Sequence, residues 1–198
     1  MWGNTRIGNI VNASFAQAID SFSADPLTID LDGDGIETTG INTAAPILFD
    51  ISGTGIQQSV GWIKPDDGFL VRDLNGNGLI DSGAELFGDA TTLANGQKAA
   101  DGFAALADLD SNHDGVVNAS DAAFSQLRVW RDLDQDGATD AGELQTLAAL
   151  GISGLNVAST SHSQTLANGN QIADLGTYIK ADGQVGIAIN DFIWKVAA

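Results

Sequence analysis

The run Asp132-Leu-Asp134-Gln-Asp136-Gly137-Ala138-Thr-Asp140-Ala-Gly-Glu143 sets side-chain oxygens at its first, third and fifth positions, a glycine at its sixth and a glutamate at its twelfth. Calcium takes roughly six to eight oxygen ligands, and a twelve-residue EF-hand loop offers them at this spacing. Asp132, Asp134 and Asp136 would supply carboxylates, Gly137 the sharp turn, Ala138 a backbone carbonyl and Glu143 two oxygens at once. A second run, Asp110-Ser-Asn112-His-Asp114-Gly115-Val116-Val-Asn118-Ala-Ser-Asp121, repeats the pattern through Asp110, Asn112, Asp114 and the carbonyl of Val116. It ends on Asp121, whose shorter side chain weakens the two-oxygen contact. His113 falls at a non-ligand position and is expected to be exposed. The two loops start 22 residues apart, so a helix from Ala122 to Arg131 would serve both, and they would act as a pair.

Two further loops are less complete. Asp73-Leu-Asn75-Gly-Asn77-Gly78-Leu-Ile-Asp81-Ser-Gly-Ala-Glu85 keeps the first ligands but carries its glutamate one residue late, and amides replace two carboxylates, which lowers affinity. Asp30-Leu-Asp32-Gly-Asp34-Gly35 begins the same way, yet its twelfth position is Ile41. Its remaining ligands must come from outside the loop, with Glu37 as one contributor. Asp50-Ile-Ser52-Gly-Thr54-Gly55 has the rhythm with hydroxyls in place of carboxylates, and reads as a tight turn. About four Ca2+ ions are therefore expected as cofactor.

The composition agrees with ligand stock. The 198 residues carry 26 acids against eight Lys and Arg, a formal charge of −18, and Glu stands only at 37, 85 and 143, which leaves 23 Asp. Asp suits short oxygen-rich loops, whereas helix surfaces favour Glu. So few cations exclude a basic patch for nucleic acid or anionic lipid. Hydrophobic residues make up 43%, enough to bury a core once the charge is neutralised. Without Cys there are no disulfides, zinc-thiolate sites or thiol catalysis. No stretch reaches the ~18 apolar residues of a membrane span, and the first residues lack a signal peptide's pattern, so a signal for export would lie elsewhere.

The elements that must hold these loops follow from periodicity. Ile7, Ile10, Val11, Phe15, Ala18 and Ile19 form an apolar stripe at helical spacing, which Ser21 to Pro26 breaks because a residue before proline is pushed out of the α region. From 27 to 98 the runs are short and glycine-rich, with strands expected at Leu27–Leu31, Ile47–Phe49 and Gly68–Arg72. From Ala99 to Leu150 the spacing of Phe103, Leu106 and Leu109, of Phe124, Leu127 and Trp130, and of Leu144, Leu147 and Leu150 predicts three short helices. Strands return at Gly176–Lys180 and Val185–Ile189. The expected fold is α+β, with short β-hairpins and calcium loops around a paired EF-hand-like helical segment. Residues 1–25 form a segment upstream of residues 26–198, the calcium-dependent domain.

The boundary itself carries chemistry. In Asp25-Pro26 the Asp carboxyl can attack its own backbone carbonyl, and the proline nitrogen, a tertiary amide, leaves readily once protonated. Intramolecular attack of this kind is worth up to ~10 kcal/mol in favourable geometry. The product is an aspartyl anhydride that water or a lysine amine can open. The stretch Asp25-Pro-Leu-Thr-Ile-Asp-Leu-Asp-Gly-Asp-Gly-Ile-Glu-Thr38 resembles the start of the self-processing module of FrpC-like iron-regulated RTX proteins. The resemblance continues through Asp66-Asp-Gly-Phe-Leu-Val-Arg-Asp-Leu-Asn-Gly-Asn77, Gly83-Ala-Glu-Leu-Phe-Gly-Asp89, Ala122-Ala-Phe-Ser-Gln-Leu-Arg-Val-Trp130 and the loop at 132–143, over residues 26 to 185.

That resemblance implies calcium-triggered, single-turnover cleavage of the Asp25-Pro26 bond, with Asp25 and Pro26 as the catalytic residues. It also implies coupling of the new C-terminal Asp to a lysine amine of this or a neighbouring chain. Export by a type I system, to the outside or to the bacterial surface, is implied as well. The glycine-rich nonapeptide repeats of RTX proteins are absent from this sequence, which makes it an excised module on that reading. Asp66, Asp67, Tyr178 and His162 are candidate proton donors to the proline nitrogen. Two rivals stand beside it: a non-catalytic EF-hand or dockerin-like module that recognises a partner through the shared helix, and a calcium-stiffened segment of a surface adhesin.

Overall fold

A computed structural model describes residues 24–193. The expected helix over 5–20 lies outside the described residues. Thirteen strands follow in order: β1 Leu27–Ile29, β2 Thr38–Thr39, β3 Ile47–Phe49, β4 Gln58–Val60, β5 Trp62–Ile63, β6 Gly68–Arg72, β7 Val116–Asn118, β8 Leu127–Trp130, β9 Leu144–Thr146, β10 Ile152–Asn156, β11 Thr160–Thr165, β12 Gln171–Lys180 and β13 Val185–Ile193. One α-helix, α1 at Gly102–Ala107, is described. Nine strands make one sheet, in the order β7-β10-β12-β13-β1-β6-β8-β9 with β11 beside β12, while β2·β5 and β3·β4 form two small pairs. Every strand pair is antiparallel.

Both faces of the central strands are buried. Side chains alternate across a strand, so Leu70, Leu127 and Val129 join Leu27 and Ile29 on one face, against Phe103 and Leu106 of α1. Phe69, Val71 and Trp130 turn to the other face and meet Phe49, Val60 and Trp62 of the small pairs. There the rings pack edge to face, with Trp62 5.4 Å from Trp130 and 5.1 Å from Phe69, the arrangement aromatic quadrupoles favour. Gly102 brings α1 directly onto β1, because a Cβ there would stand 2.6 Å from Leu27 Cγ and 2.8 Å from the Phe87 carbonyl.

The fold is mostly β, not the expected α+β, and among the described residues there is no paired EF-hand helical segment. Where a helix from Ala122 to Arg131 was expected, a short 3-10 turn at Phe124–Gln126 runs straight into β8. That strand pairs with β6 from Phe69↔Trp130 to Arg72↔Leu127, and with β9 on its other side. A strand buried on both faces is apolar without clean alternation, so its period-three coincidences imitate a helix. Leu144–Leu150 divides likewise, into β9 and a 3-10 turn that Thr146 caps by accepting the Ala149 N–H at 3.1 Å. Of the three expected helices only the first stands, shortened to six residues. The expected strands at β1, β3, β6, β12 and β13 are present.

Candidate functional site

Five loops share one backbone cradle. Asp30, Asp50, Asp73, Asp110 and Asp132 each open a loop and hold two of its N–H groups, one on each carboxylate oxygen. Gly33 and Gly35 donate to Asp30 at 2.7 and 3.1 Å, Thr54 and Gly55 to Asp50 at 3.0 and 2.6 Å, and Gly76 and Gly78 to Asp73 at 2.7 and 2.9 Å. Asp114 and Gly115 donate to Asp110 at 3.2 and 2.8 Å, and Asp136 and Gly137 to Asp132 at the same distances. The fourth and sixth residues of each loop have positive φ, including 58° at His113 and 60° at Gln135 where the others have Gly. The Asp50 loop, expected as a tight turn, has this same cradle.

A second acid closes each of the three longer loops. Glu143 accepts the Leu133 N–H at 2.7 Å and the Asp140 N–H at 3.0 Å, the second and ninth positions of its loop. Asp121 does the same with Ser111 at 2.8 Å and Asn118 at 3.0 Å. Glu85, one residue late in sequence, still reaches Leu74 and Asp81, both at 3.0 Å. The 3-10 turn at Gly83–Glu85 takes up the extra residue. The Trp130 indole N–H adds a bond to Glu143 at 3.3 Å, which ties the loop to the aromatic core.

The expected ligands gather unevenly. Carboxylate oxygens of Asp132, Asp134 and Asp136 lie within 4.8 Å of one another. Asn112 and Asp114 bond to each other at 2.9 Å, as Asn77 and Asp81 do at 2.8 Å, while the Asn75 side chain accepts the Asn77 N–H at 2.9 Å. Val116 and Ala138 hold the fifth-position aspartates through their N–H groups, both at 2.8 to 2.9 Å. Burial pushes Asp132 up to about 6, opposed by the Gly137 and Asp136 N–H groups and reinforced by Glu143. The Asn118 N–H and the Ser111 hydroxyl hold Asp121 below the usual carboxylate range.

At the Asp30 loop the closing acid comes from elsewhere. Asp30 and Asp32 gather with Asp67, from the turn between β5 and β6, within 4.8 Å, while Asp34 is not part of that group. Asp67 accepts the Glu37 N–H at 3.2 Å and interacts with the Leu31 N–H, the eighth and second positions of the loop, so it faces this loop much as Glu143 faces its own. Asp67, Asp66 and Glu37 form a second such group. Burial drives Asp67 up to about 7, opposed by the Glu37 N–H and reinforced by the Asp30 charge. These acids, of which Asp30 and Asp67 are buried, could together bind a metal ion. Tyr178 donates to the Asp30 carbonyl at 3.3 Å, and His162 is exposed on β11, 3.0 Å from Gln164.

The Asp25-Pro26 bond enters the central strand β1. Leu27 N–H donates to the Phe87 carbonyl at 2.8 Å, and the chain after Phe87 folds over the bond. Asp25 Oδ1 accepts the Asp89 N–H at 2.6 Å. At Gly88 a Cβ would lie 3.0 Å from Asp25 Oδ1 and 3.1 Å from the Asp25 carbonyl oxygen, so that backbone covers both the carboxyl and the carbonyl it would attack. A cavity of about 10 Å3 between Asp25, Pro26, Gly83, Gly88 and Asp89 has room for about one water. Burial raises the Asp25 carboxyl to about 7, opposed by the Asp89 N–H and reinforced by the Asp89 carboxyl. The acid set against Asp25 is therefore Asp89, absent from the sequence-based candidates although it closes the Gly83–Asp89 stretch.

An antiparallel sheet with acid-closed loops at the ends of its strands and an Asp-Pro bond at the head of its central strand defines a β module with acidic groups that could bind a metal ion. The chain belongs to the SPM domain family, whose model matches residues 27–194. It is 57% identical over 159 residues to the iron-regulated protein FrpA of Neisseria meningitidis serogroup C. That alignment covers 80% of this chain and 14% of the relative, so the chain spans about one seventh of that protein. Among the described residues no helix is long and apolar enough to cross a membrane.

Proposed function

We propose that the chain cleaves its own Asp25-Pro26 bond when calcium fills the loops, and passes the new C-terminal Asp to a lysine amine or to water. The observation that carries the reading is the covered Asp25: its carboxyl shares hydrogen bonding with Asp89 and is held near its own carbonyl by Gly88. A carboxyl pushed up to about 7 is roughly half protonated at neutral pH, which an exposed aspartate is not.

The steps balance on these groups. The proton carried by the Asp25 carboxyl moves to the Pro26 nitrogen as an oxygen of that carboxyl attacks the Asp25 carbonyl carbon. The C–N bond breaks, Pro26 leaves as a secondary amine, and Asp25 closes as a five-membered anhydride. Water adds to give a free 1–25 segment that ends in two carboxyls, the Asp25 side chain and the new C-terminus, whereas a neutral lysine Nζ adds to give an isopeptide and one carboxyl. Asp66, Asp67 and Tyr178 are engaged around the Asp30 loop and His162 lies exposed with Gln164, so Asp89 replaces them as the proton's partner.

Calcium supplies positive charge that lets clustered carboxylates converge, and four ions would bring −18 to −10. Asp30, Asp73, Asp110 and Asp132, with their closing acids, are the residues that would hold it, and their spacing and oxygen chemistry fit a hard cation. Metal binding then contributes folding free energy, and β1 is placed only in the folded chain. Action outside the cell, where calcium is abundant, accords with this dependence. The dockerin-like reading loses its basis, since its shared helix is β8.

The test is a denaturing gel and intact mass of the purified chain before and after millimolar calcium. A 1–25 fragment ending in Asp25, with part of it joined to lysine, is expected, and Asp25→Ala abolishes both while folding with calcium. Cleavage between 25 and 26 in Asp25→Ala would refute the anhydride route.

A further inference from the structure

The backbone that covers Asp25 is anchored at both ends. Leu86 bridges to Val71 of β6, and the Phe87 carbonyl accepts the Leu27 N–H of β1 at 2.8 Å. At the other end the Thr91 carbonyl accepts the Ala99 N–H at 3.0 Å. Gly88, Asp89 and Ala90 lie between, in no strand or helix. Packing alone does not fix them. They border the small cavity beside Asp25, and Leu86, Phe87 and Thr91 wall a second cavity of about 270 Å3 together with Ala105 and Leu109. Lys98 Nζ bonds to the Ala90 carbonyl, but that lysine is exposed, and an exposed long side chain is a weak tether.

The Thr91 side chain closes the span on itself. Its hydroxyl donates to the Leu86 carbonyl at 2.8 Å and accepts the Gly88 N–H at 3.1 Å, while the Thr91 N–H donates to the Gly88 carbonyl at 3.0 Å. A hydroxyl has one proton and two lone pairs, so donation to Leu86 leaves a lone pair for Gly88. Gly88 is buried, and without the hydroxyl its N–H would be enclosed with no acceptor, which is costly. With the Gly88 N–H taken by Thr91, the next one along, that of Asp89, reaches Asp25 Oδ1 at 2.6 Å.

We propose that Thr91 is a positioning residue for the cleavage: its hydroxyl fixes the turn from Leu86 to Thr91, and through Gly88 and Asp89 that turn keeps the Asp25 carboxyl against its own carbonyl. The inference deepens the cleavage reading and rests on it. Thr91 is not among the residues around the Asp25 cavity, so it acts through its neighbours. The step it serves is intramolecular and depends on alignment, where a displacement near 1 Å costs about 10^2 in rate. A Cβ at Gly88 would already lie 3.0 to 3.2 Å from Asp25 atoms, so a small shift of this backbone changes the space around both reacting groups. Serine keeps the donor and the acceptor. Valine keeps the branched shape and loses both.

The test uses the full chain. Single-turnover cleavage at saturating calcium chloride is followed by intact mass in wild type, Thr91→Val and Thr91→Ser, with the calcium midpoint for folding from circular dichroism. Thr91→Val is expected to cleave about 10- to 100-fold more slowly at an unchanged midpoint, and Thr91→Ser to recover the rate to within about threefold. The clamp itself is read without cleavage, by amide hydrogen exchange of the calcium-loaded Asp25→Ala chain. There Thr91→Val should lose protection at Gly88 and Thr91→Ser should keep it, while Leu27 stays protected in all three. Should Thr91→Val not fold with calcium, Thr91→Ala carries the same expectations. Gly88 protection retained in Thr91→Val, a Thr91→Val rate equal to wild type, or a Thr91→Ser rate as low as that of Thr91→Val would each overturn the proposal. A wild type that folds with calcium and does not cleave sinks the cleavage reading, and the positioning role with it; an active wild type beside an equally active Thr91→Val sinks the positioning role alone.

Discussion

Cleavage that draws its proton from Asp25 must follow the ionisation of that carboxyl. Burial and the facing Asp89 carboxyl raise it from 3.8 to about 7. At pH 7 roughly half the molecules then carry the proton, against about one in 1,600 for an unshifted aspartate, an advantage on the order of 10^3 in the reactive form. The single-turnover rate at saturating calcium should be level from pH 6 to about 7 and fall tenfold per unit above it. Asp89→Asn removes the facing charge but keeps the backbone N–H that lowers the pKa, so its fall should begin at lower pH. The assay is intact-mass quantitation of the 1–25 fragment at timed quenches, with circular dichroism to show that each sample is folded. A wild-type rate that stays level or rises between pH 7 and 9 would refute the reasoning, as would an Asp89→Asn profile superimposable on wild type. The same shift has a stability sign. A raised carboxyl favours the fold below 3.8 and loses that contribution as pH climbs to about 7, a slope that Asp25→Ala should remove from melts at constant calcium.

Other outcomes follow from single contacts. Gly88→Ala would put its methyl within 3.0 to 3.2 Å of the Asp25 carboxyl and carbonyl, and should slow cleavage at least tenfold while calcium binding, read by titration, is unchanged. Glu143→Gln and Asp132→Asn should raise the calcium midpoint for folding, followed by far-UV circular dichroism, more than Asp34→Asn does, since Asp34 stands outside its loop's oxygen cluster. Leu27→Ala empties a fully buried position against α1 and should cost about 2–5 kcal/mol in denaturant unfolding of the calcium-loaded chain. Lys98 Nζ bonds to the carbonyl of Ala90, which lines the same cavity as Asp25, so peptide mapping should find 1–25 joined to Lys98 and Lys98→Arg should deplete that species.

What could be read from sequence divides along a physical line. The loops were legible because their constraint is local: a carboxylate that must take N–H groups three to five residues on, with positive φ at fixed positions, leaves its mark within twelve residues. Even the late Glu85 was visible as a candidate. What was not legible depends on pairing across the chain. Leu127–Trp130 has helical spacing by accident, and only the neighbours β6 and β9 make it a strand. Asp67 and Asp89 were acids among 26 until the sheet set one opposite Asp30 and the Phe87–Asp89 turn set the other against Asp25. In both cases the acid stands beside a glycine, Gly68 and Gly88, that lets backbone come close. At Gly68 a Cβ would meet Val129 at 2.2 Å, and at Gly88 it would meet the scissile residue itself. The proposed coupling of metal to bond cleavage rests on the same geometry. The Asp30 loop lies at one end of a three-residue strand and the Asp25-Pro26 bond at the other, with Gly102 pressing α1 onto Leu27 between them. A strand so short has little register of its own, so a cation bound at the Asp30 loop would also bear on where Asp25 meets Asp89.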